Sequence, residues 1–229
     1  MLEKNYVIFN DINTLDLGLI EDLPMVDKAE DDIEFIEIDG RHGFLTFDKK
    51  SKKPIDYKLR LIVDGLDKID LIKSIFNGSG KLVLSNNKER YYKAVVTNTM
   101  TFNRQVKEKY EIEISFKLQP FAYELNEGTI VLNSNRIINN ITNATSQPII
   151  IVNGLGDGLL TINDNVIQLK GITDHIILNF ELEEAYDQSG RSKNMNVLGN
   201  FEEFKVGSNT ISWNGGITSL IITPNWRWQ

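Results

Sequence analysis

Apolar and polar residues alternate along much of the chain with the period of two that is typical of β-strands. The clearest example is the segment 110–118, which predicts a single buried face. That face consists of Tyr110, Ile112, Ile114, Phe116 and Leu118. Similar or shorter runs, separated by turn residues, predict further strands at Phe35–Ile38, Phe44–Phe47, Tyr57–Val63, Lys81–Leu84 and Tyr91–Val96.

One segment follows a helical period instead. From Leu66 to Phe76, apolar residues that include Ile69 and Ile72 recur at intervals of three and four positions. Asp64 is placed to cap the start of this segment, and Asn77-Gly78 is a typical end. The pattern therefore predicts one short helix.

The second half of the chain consists of short apolar runs without a helical period. Asn163-Asp164-Asn165, between two of these runs, indicates a β-hairpin. Evenly spaced short strands without helices are typical of a β-sandwich. The predicted strands are Thr129–Leu132, Ile149–Val152, Leu159–Ile162, Val166–Leu169, Ile176–Phe180, Thr210–Trp213 and Leu220–Thr223.

The density of charge changes sharply along the chain and indicates a domain boundary. Residues 1–124 contain 19 Lys or Arg and 22 Asp or Glu, whereas residues 125–229 contain 6 and 10. Asparagine rises from 8 in the first part to 16 in the second. We therefore predict a first domain at residues 1–130 and a second at 131–229. A single domain with one charge-poor half is the alternative.

Composition excludes several classes of function. The formal net charge of −7 removes the positive surplus that sequence-independent nucleic-acid binding requires. The chain has no Cys, which excludes disulfides, thiolate metal sites and cysteine nucleophiles, and its only two His exclude a His-rich metal site or a relay of several imidazoles. No stretch approaches the roughly 20 apolar residues that span a bilayer, and Met1–Asn5 does not resemble the start of a signal peptide. We expect a protein that folds in a reducing cytosol and has no membrane partner.

The glycine-rich and calcium-like motifs have structural explanations. Gly78-Ser79-Gly80-Lys81 lacks the first glycine of a phosphate-binding loop and precedes a predicted strand rather than a helix. Gly154–Gly158 also precedes a strand, so its glycines are expected to permit a bulge or a tight turn. Asp157, Asn163 and Asp164 do not have the spacing of an EF-hand calcium loop.

The remaining charged candidates do not form a catalytic set. Glu181 and Glu183 alternate on a predicted strand and are expected to face solvent rather than to act as a glycosidase pair. The two histidines are expected to be structural, at His175, and solvated in a turn, at His42. We predict that the protein is not an enzyme and has no catalytic, cofactor-binding or metal-binding residues and no cofactor.

A basic run and an acidic stretch suggest a contact between copies of the chain. Lys49–Lys53 is expected to form a solvated hairpin tip. The acidic stretch Asp27–Glu37 could contact that tip on a neighbouring subunit.

A set of short segments spans nearly the whole chain. In order, they are Leu15–Leu19, Pro24, Ile38–Gly43, Tyr57–Val63, Leu82–Ser85, Glu89–Ala94, Ile114–Tyr123, Pro148–Ile151, Gly207–Trp213 and Ile222–Trp228. Taken together, this ordered set resembles the distal tail protein (Dit) family of long, flexible-tailed phages that infect Gram-positive bacteria.

The resemblance implies a mainly β protein with two parts. The first is a β-sandwich-like, ring-forming domain with one short helix, and the second is a galectin-like β-sandwich. It also implies a homo-hexamer, as one ring or two stacked rings, that serves as a structural hub at the tip of the virion tail. The implied partners are the major tail tube protein, a tail-associated fibre-like protein or lysin, and receptor-binding or baseplate proteins, with assembly in the bacterial cytoplasm and no specific nucleic acid.

The alternative function is a lectin-like carbohydrate-binding module for adsorption to the host cell wall. Its stacking platforms would be Trp213, Trp226 and Trp228, although Trp213 alternates with Ile211 on a predicted strand, as a packed residue would. The chain has no room for the extra carbohydrate-binding modules that longer relatives carry in loops.

The end of the chain carries two tryptophans, so we expect it to be docked rather than frayed. Pro224 ends the preceding strand, which lets the segment leave its sheet. We expect it to lie on the first domain or on a neighbouring copy, with Arg227 facing a carboxylate there.

Overall fold

Strands form wherever alternation allows one face of a sheet to be buried, and they dominate this chain. A computed structural model describes residues 4–20, 23–97, 101–106 and 109–229. The prediction of a mainly β fold is confirmed, and the described residues contain one α-helix. They divide into two compact units, of which the first ends at Leu125 and the second runs from Asn126 to Trp228.

The first unit is built on one antiparallel sheet with the strand order β2-β1-β7-β8-β10-β6-β3, and β9 also pairs with β10. β4 and β5 form a separate two-stranded hairpin. The elements are β1 (Val7–Phe9), β2 (Ile12–Asn13), a 3₁₀ turn (Thr14–Asp16), β3 (Leu19–Ile20), β4 (Asp31–Glu37), β5 (Phe44–Lys52), β6 (Ile55–Asp64), α1 (Leu66–Ile75), β7 (Ser79–Leu84), β8 (Asn87–Val96), β9 (Thr101–Val106) and β10 (Lys109–Glu124).

The long strand β10 confirms the predicted alternation. Ile112, Ile114, Phe116 and Leu118 are fully buried, and Tyr110 is half-buried. These side chains lie in the hydrophobic core of the first unit, together with residues of β1, β6 and β7. Burial of this apolar surface is the main stabilising contribution to the unit.

The helix covers one side of this core, as predicted, but its cap differs. The predicted cap residue Asp64 belongs to the end of β6, and no side chain among the described residues caps the first turn. The position before the helix is Gly65, whose φ of 93° a residue with a Cβ rarely adopts. This glycine lets the chain turn abruptly from strand to helix. The helix buries Ile69, Ile72 and Ile75.

Three aromatic rings join the helix to the sheet. The ring of Phe76, directly after α1, stacks on Phe9 with 5.6 Å between centroids and meets Phe116 edge-on at 5.9 Å. Aromatic pairs of this geometry add to the free energy of apolar burial. The cluster therefore links β1, α1 and β10 within one core.

The second unit consists of antiparallel strands and follows the predicted all-β pattern. The strand order is β11-β18-β13-β14-β17, with β12 paired to β18 and β15 paired to β13 and β16. Its elements are β11 (Ile130–Leu132), β12 (Arg136–Asn140), β13 (Ile149–Ile162), β14 (Asn165–Ile172), β15 (His175–Asn179), β16 (Glu184–Tyr186), a 3₁₀ turn (Asn194–Asn196), β17 (Val197–Leu198), β18 (Gly207–Thr223) and β19 (Arg227–Trp228).

Two long strands bend, so each contributes to both layers of the sandwich. β13 pairs with β15 through residues 149–153 and with β14 through residues 156–162. β18 likewise pairs with β12 through its first residues and with β11 through its last. Strands that change sheets at bends close the corners of such sandwiches. The core between the layers draws buried aliphatic residues from both.

Glycines make the bend possible. The ladder between β13 and β18 is irregular between Gly154 and Gly158. A Cβ at Gly154 would lie 2.3 Å from the carbonyl oxygen of Gly216, so the two backbones approach closely only because side chains are absent. The predicted bulge is confirmed, but the strands predicted on either side of it are one bent strand. The hairpin predicted at Asn163-Asp164-Asn165 is also present between β13 and β14.

Candidate assembly surfaces

The hairpin of β4 and β5, which we call the arm, presents apolar side chains on both of its faces. In its register Ile36 lies opposite Leu45 and Phe35 opposite Thr46, and alternate residues of a strand point to opposite faces. Phe35 and Phe44 share one face, where their rings meet edge-on at 4.8 Å. Ile36, Leu45 and Phe47 share the other face.

These side chains are exposed to an extent that is unusual for large aromatic residues. Phe35, Phe44 and Phe47 expose 60%, 56% and 57% of their surface. A two-stranded hairpin is marginally stable by itself, and clustered exposed apolar surface marks an interaction site. The arm therefore has the properties of a binding segment whose exposed apolar side chains are buried by contact with another protein surface.

The charges of the arm hold its base together. Lys52 lies 2.6 Å from Asp31, and Lys49 lies 3.3 Å from Asp32. The prediction that Lys49–Lys53 forms a hairpin tip was wrong, because the run lies at the end of β5 and the tip is at residues 38–43. Two members of the acidic stretch Asp27–Glu37, which we expected to contact this run on a neighbouring subunit, thus pair with its lysines within the same hairpin. His42 lies exposed near the tip, as predicted.

The aromatic residues of the arm were predicted only as parts of ordinary strands. A signal was present in the sequence, since Phe35-Ile36 and Phe44-Leu45 are consecutive apolar pairs. Consecutive apolar residues on a strand point to opposite faces. Two consecutive apolar residues in a strand outside the centre of a sheet therefore indicate that both faces of that strand are covered by other protein surfaces.

The end of the chain is docked on the second unit. The carboxylate of Glu127 accepts hydrogen bonds from the backbone N–H groups of Asn225, at 2.9 Å, and Trp226. The Arg227 side chain is buried, and its guanidinium donates to the Glu203 carboxylate at 2.9 Å and to the Gln147 side chain at 2.9 Å. The prediction of a docked terminus is confirmed. The carboxylate that faces Arg227 belongs to the same unit, whereas we expected one from the first domain or a neighbouring copy.

The tryptophans named as sugar-stacking platforms take part in packing. Trp213 and Trp226 pack against the core of the second unit, and Trp226 lies 6.1 Å from the ring of Phe204. Trp228 is half-buried in β19. All three tryptophan side chains are thus partly buried, and at least two of them contribute to the packing of the second unit.

The other candidate site residues are dispersed. Glu181 and Glu183 lie in the turn before β16, so the prediction that they alternate on a strand was wrong. The His175 imidazole contacts Asp174 through Nδ1 at 2.7 Å. Asp157 accepts a hydrogen bond from the backbone of β14, and Asn163 bonds to the start of β18. Within the described parts of the chain, no group of three His, Asp or Glu could hold a metal ion.

The carboxyls with lowered pKa values lie at the surface and bond to neighbouring groups of the fold. A hydrogen bond from Lys58 on the adjacent strand lowers the pKa of Glu113. Backbone N–H groups of Arg191 and Ser189 lower the pKa of Asp187 in a tight turn. Burial raises the pKa of the half-buried Tyr92 phenol. Across the described ranges, no helix has the length and apolar character needed to cross a membrane.

A solved structure of a phage protein is similar to this chain over nearly its full length. It is SPP1 Dit (gp 19.1), described as a paradigm of the hub of the adsorption apparatus in phages that infect Gram-positive bacteria. The TM-score is 0.79 at 13% sequence identity, and the match covers 96% of this chain and 98% of SPP1 Dit. The chain has the fold of a Dit protein.

Comparison of the sequence alone finds no match. No protein-family model and no curated protein matches it. At 13% identity the two chains share a fold whose strands are specified by alternation and turns, and alternation tolerates exchange among apolar residues.

Proposed function

We propose that this protein is a structural component of a phage tail that assembles into a hexameric ring through its first unit. The observation that best supports the proposal is the arm, in which both faces expose apolar side chains. A closed ring requires two different and complementary patches on each copy. The arm supplies one such patch, and a neighbouring copy would cover it.

In the proposed role the ring is a hub at the tip of the tail. It joins the tail tube to the baseplate, to a tail-associated fibre-like protein or lysin, and to receptor-binding proteins. The role is structural rather than catalytic, and the ring is assembled in the bacterial cytoplasm. Similarity to the fold of SPP1 Dit supports this proposal. The packing of Trp213 and Trp226 argues against the lectin-like alternative.

Light scattering tests whether the arm mediates assembly. We expect the purified full-length chain to have the mass of a hexamer at micromolar concentration, and negative-stain images to show rings with sixfold symmetry. Because the exposed rings of the arm would be buried between copies, replacing Phe35, Phe44 and Phe47 together by Ser should yield monomers.

A matched variant separates this effect from a general loss of exposed apolar surface. Ile141, Leu155 and Met195 of the second unit expose 80%, 73% and 97% of their surface. Replacing these three by Ser should leave the ring intact. A wild-type chain that remains monomeric from low to moderate salt would contradict the proposal, as would a ring that survives the arm variant.

A further inference from the structure

A small groove in the first unit is lined by more lysines than carboxylates, and we call it the basic groove. Its volume is about 280 Å³, and its charged lining consists of Lys4, Lys68, Lys109 and Asp64. None of the three ammonium groups forms an ion pair with a residue that the structure describes. Three positive charges and one negative charge leave the groove with a net charge of +2.

The lining of the basic groove also contains apolar surface. It includes Leu15, which is 41% exposed, Gly18 and the half-buried Ile62. A Cβ at Gly18 would lie 2.5 Å from the carbonyl oxygen of Ile62, so only a glycine lets the two segments lie this close. The groove therefore combines accessible apolar surface with an excess of positive charge.

The turn that carries Leu15 is fixed by hydrogen bonds. The hydroxyl of the buried Thr14 accepts from the backbone N–H of Val7 at 3.0 Å and donates to the carbonyl of Val7 at 3.1 Å. The side chain of Asn13 accepts from the backbone N–H of Leu15 at 2.9 Å. Buried hydrogen bonds of this kind hold a turn in one conformation. This part of the groove is thus formed in the single chain.

The charges of the arm are distributed unevenly along its length. At and beside its base, four carboxylates pair with four lysines, as Glu30 with Lys53, Asp31 with Lys52, Asp32 with Lys49, and Asp48 with Lys50. The outer part of the arm, residues 33–47, instead carries three exposed carboxylates and one exposed guanidinium, which belong to Glu34, Glu37, Asp39 and Arg41. With His42 neutral, their net charge is −2. Within the described ranges, none of these four side chains forms an ion pair.

We propose that the outer part of the arm of one copy docks on the basic groove of the next copy. This inference rests on the proposed ring and names the second of its two patches. The net charges of −2 and +2 match, which suits a contact that orients one copy on another. A closed ring requires two patches that differ and are complementary, and these two do.

Apolar surface accompanies the charge on both patches. In the register of the arm, Glu37 lies opposite Phe44 and Glu34 lies opposite Phe47. Directly opposed residues share a face of a hairpin, so each face of the arm presents a carboxylate beside an aromatic ring. The basic groove presents ammonium groups beside Leu15 in the same way. An apolar centre with charged surroundings is the usual composition of a protein interface.

Reversal of charge on the two patches tests the contact. Lys68→Glu with Lys109→Glu changes the net charge of the groove from +2 to −2, so we expect light scattering to show monomers where the wild type forms rings. Glu37→Lys with Asp39→Lys reverses the charge of the outer arm and should have the same effect. A chain with all four substitutions again has patches of opposite charge, and we expect its ring to return.

Matched substitutions separate this effect from a general change of charge. Lys170 and Lys205 of the second unit are exposed and have no ion pair with a described residue. Lys170→Glu with Lys205→Glu changes the total charge as much as the groove variant does and should leave the ring intact. If circular dichroism shows that the groove variant does not fold, Lys68→Gln with Lys109→Gln removes the same two positive charges. We expect this milder variant to weaken self-association at least about tenfold.

A mixture of two defective variants tests the direction of the contact. The chain in which Phe35, Phe44 and Phe47 are replaced by Ser retains the basic groove, and the chain with Lys68→Glu and Lys109→Glu retains the arm. Each should be monomeric alone. The mixture should contain a one-to-one complex in sedimentation velocity, because only one pair of patches is intact.

Two outcomes would overturn the inference and leave the proposed ring standing. A ring that survives Lys68→Glu with Lys109→Glu would assign the groove to a different partner. A chain with all four charge substitutions that stays monomeric, together with no complex in the mixture, would show that arm and groove do not meet. A wild-type chain that is monomeric would instead contradict the ring itself, and this contact with it.

Discussion

In the first unit, oppositely charged side chains form pairs on the solvent-facing side of neighbouring strands. In the second unit, buried asparagine side chains form hydrogen bonds that stabilise the turns. Lys58 on β6 lies 2.9 Å from Glu113 on β10, at the surface. Asn209 of the second unit is fully buried, and its side chain accepts from the backbone N–H of Lys205 and donates to the carbonyl of the same residue, each at 2.8 Å. Asn140 forms similar bonds to Thr142 and Ala144.

The difference follows from the cost of burial. A neutral amide both donates and accepts, so it can replace water for a backbone turn inside the protein. A charged pair loses more free energy on desolvation, so the Lys58–Glu113 pair lies at the surface, and the buried Arg227 is compensated by hydrogen bonds to Glu203 and Gln147. Asparagines of the second half of the chain thus stabilise its turns. Charged side chains, which are more frequent in the first half, suit contacts that orient a partner protein at an interface.

The largest expected effect concerns the core of the first unit. Truncating Ile72 or Phe76 to Ala should lower the free energy of unfolding by about 2–5 kcal/mol, because each side chain is buried and leaves a cavity. Leu71 on the same helix is 47% exposed and serves as the control, with an expected loss below about 0.5 kcal/mol. Chemical denaturation measures both. Equal losses at Leu71 and Ile72 would show that the helix is not packed as described.

Deletion of residues 225–229 tests the polar anchoring of the second unit. It removes the packing of Trp226 and the hydrogen bonds of Arg227, so we expect a loss of about 2–4 kcal/mol and a lower melting temperature. The single substitution Arg227→Lys, which keeps the charge and loses the planar donor geometry, should have a smaller effect. Unchanged stability of the deletion variant would contradict the docking of this segment.

Two fragments test whether the second unit is independent of the first. We predict that residues 134–229 fold alone with a cooperative thermal transition. The structure adds that residues 126–229 should be more stable by about 2 kcal/mol, since they include β11, with the buried Leu132, and Glu127. Absence of a cooperative transition in both fragments would place the domain boundary elsewhere.

A pair of substitutions tests the contrast between buried amides and surface charges directly. Asn209→Ala removes the buried side chain that bonds to both backbone groups of Lys205, and we expect a loss of about 1–3 kcal/mol. Lys58→Ala removes a surface ion pair, and its cost should be below about 1 kcal/mol. Denaturant titration of both variants gives the comparison. A larger loss of unfolding free energy for Lys58→Ala than for Asn209→Ala would contradict the proposed contrast.

The smallest expected effect is a pH dependence at Asp187. Its pKa is lowered in the folded state by hydrogen bonds from the backbone of Arg191 and Ser189. The stabilisation is therefore complete above the unfolded pKa near 4 and is lost as pH falls through the lower folded value. Asp187→Asn should flatten the decline in stability as pH falls below about 4. Identical pH profiles for both proteins, at fixed ionic strength, would contradict this assignment.

Much of the fold was predictable because its elements are set by local periods. The alternation at Tyr110–Leu118 needs only one buried face, and the spacing of Ile69 and Ile72 needs only one covered side of a helix. The arm, which is the candidate assembly surface, was less predictable. The lysines of the arm were placed at a tip, because local sequence does not reveal how many residues the turn between β4 and β5 contains.

The sequence by itself determined that the chain is mainly β, has one helix between Leu66 and Phe76, and changes character near residue 125, since each depends on neighbours in the chain. Only the tertiary structure decided which faces are covered. In the structure, two predicted strands form the single strand β13, which contains a glycine bulge. Trp226 packs against the core of the second unit, and the aromatic rings of the arm are exposed. The physical reason is that burial depends on residues far apart in sequence, which an alternating pattern cannot specify.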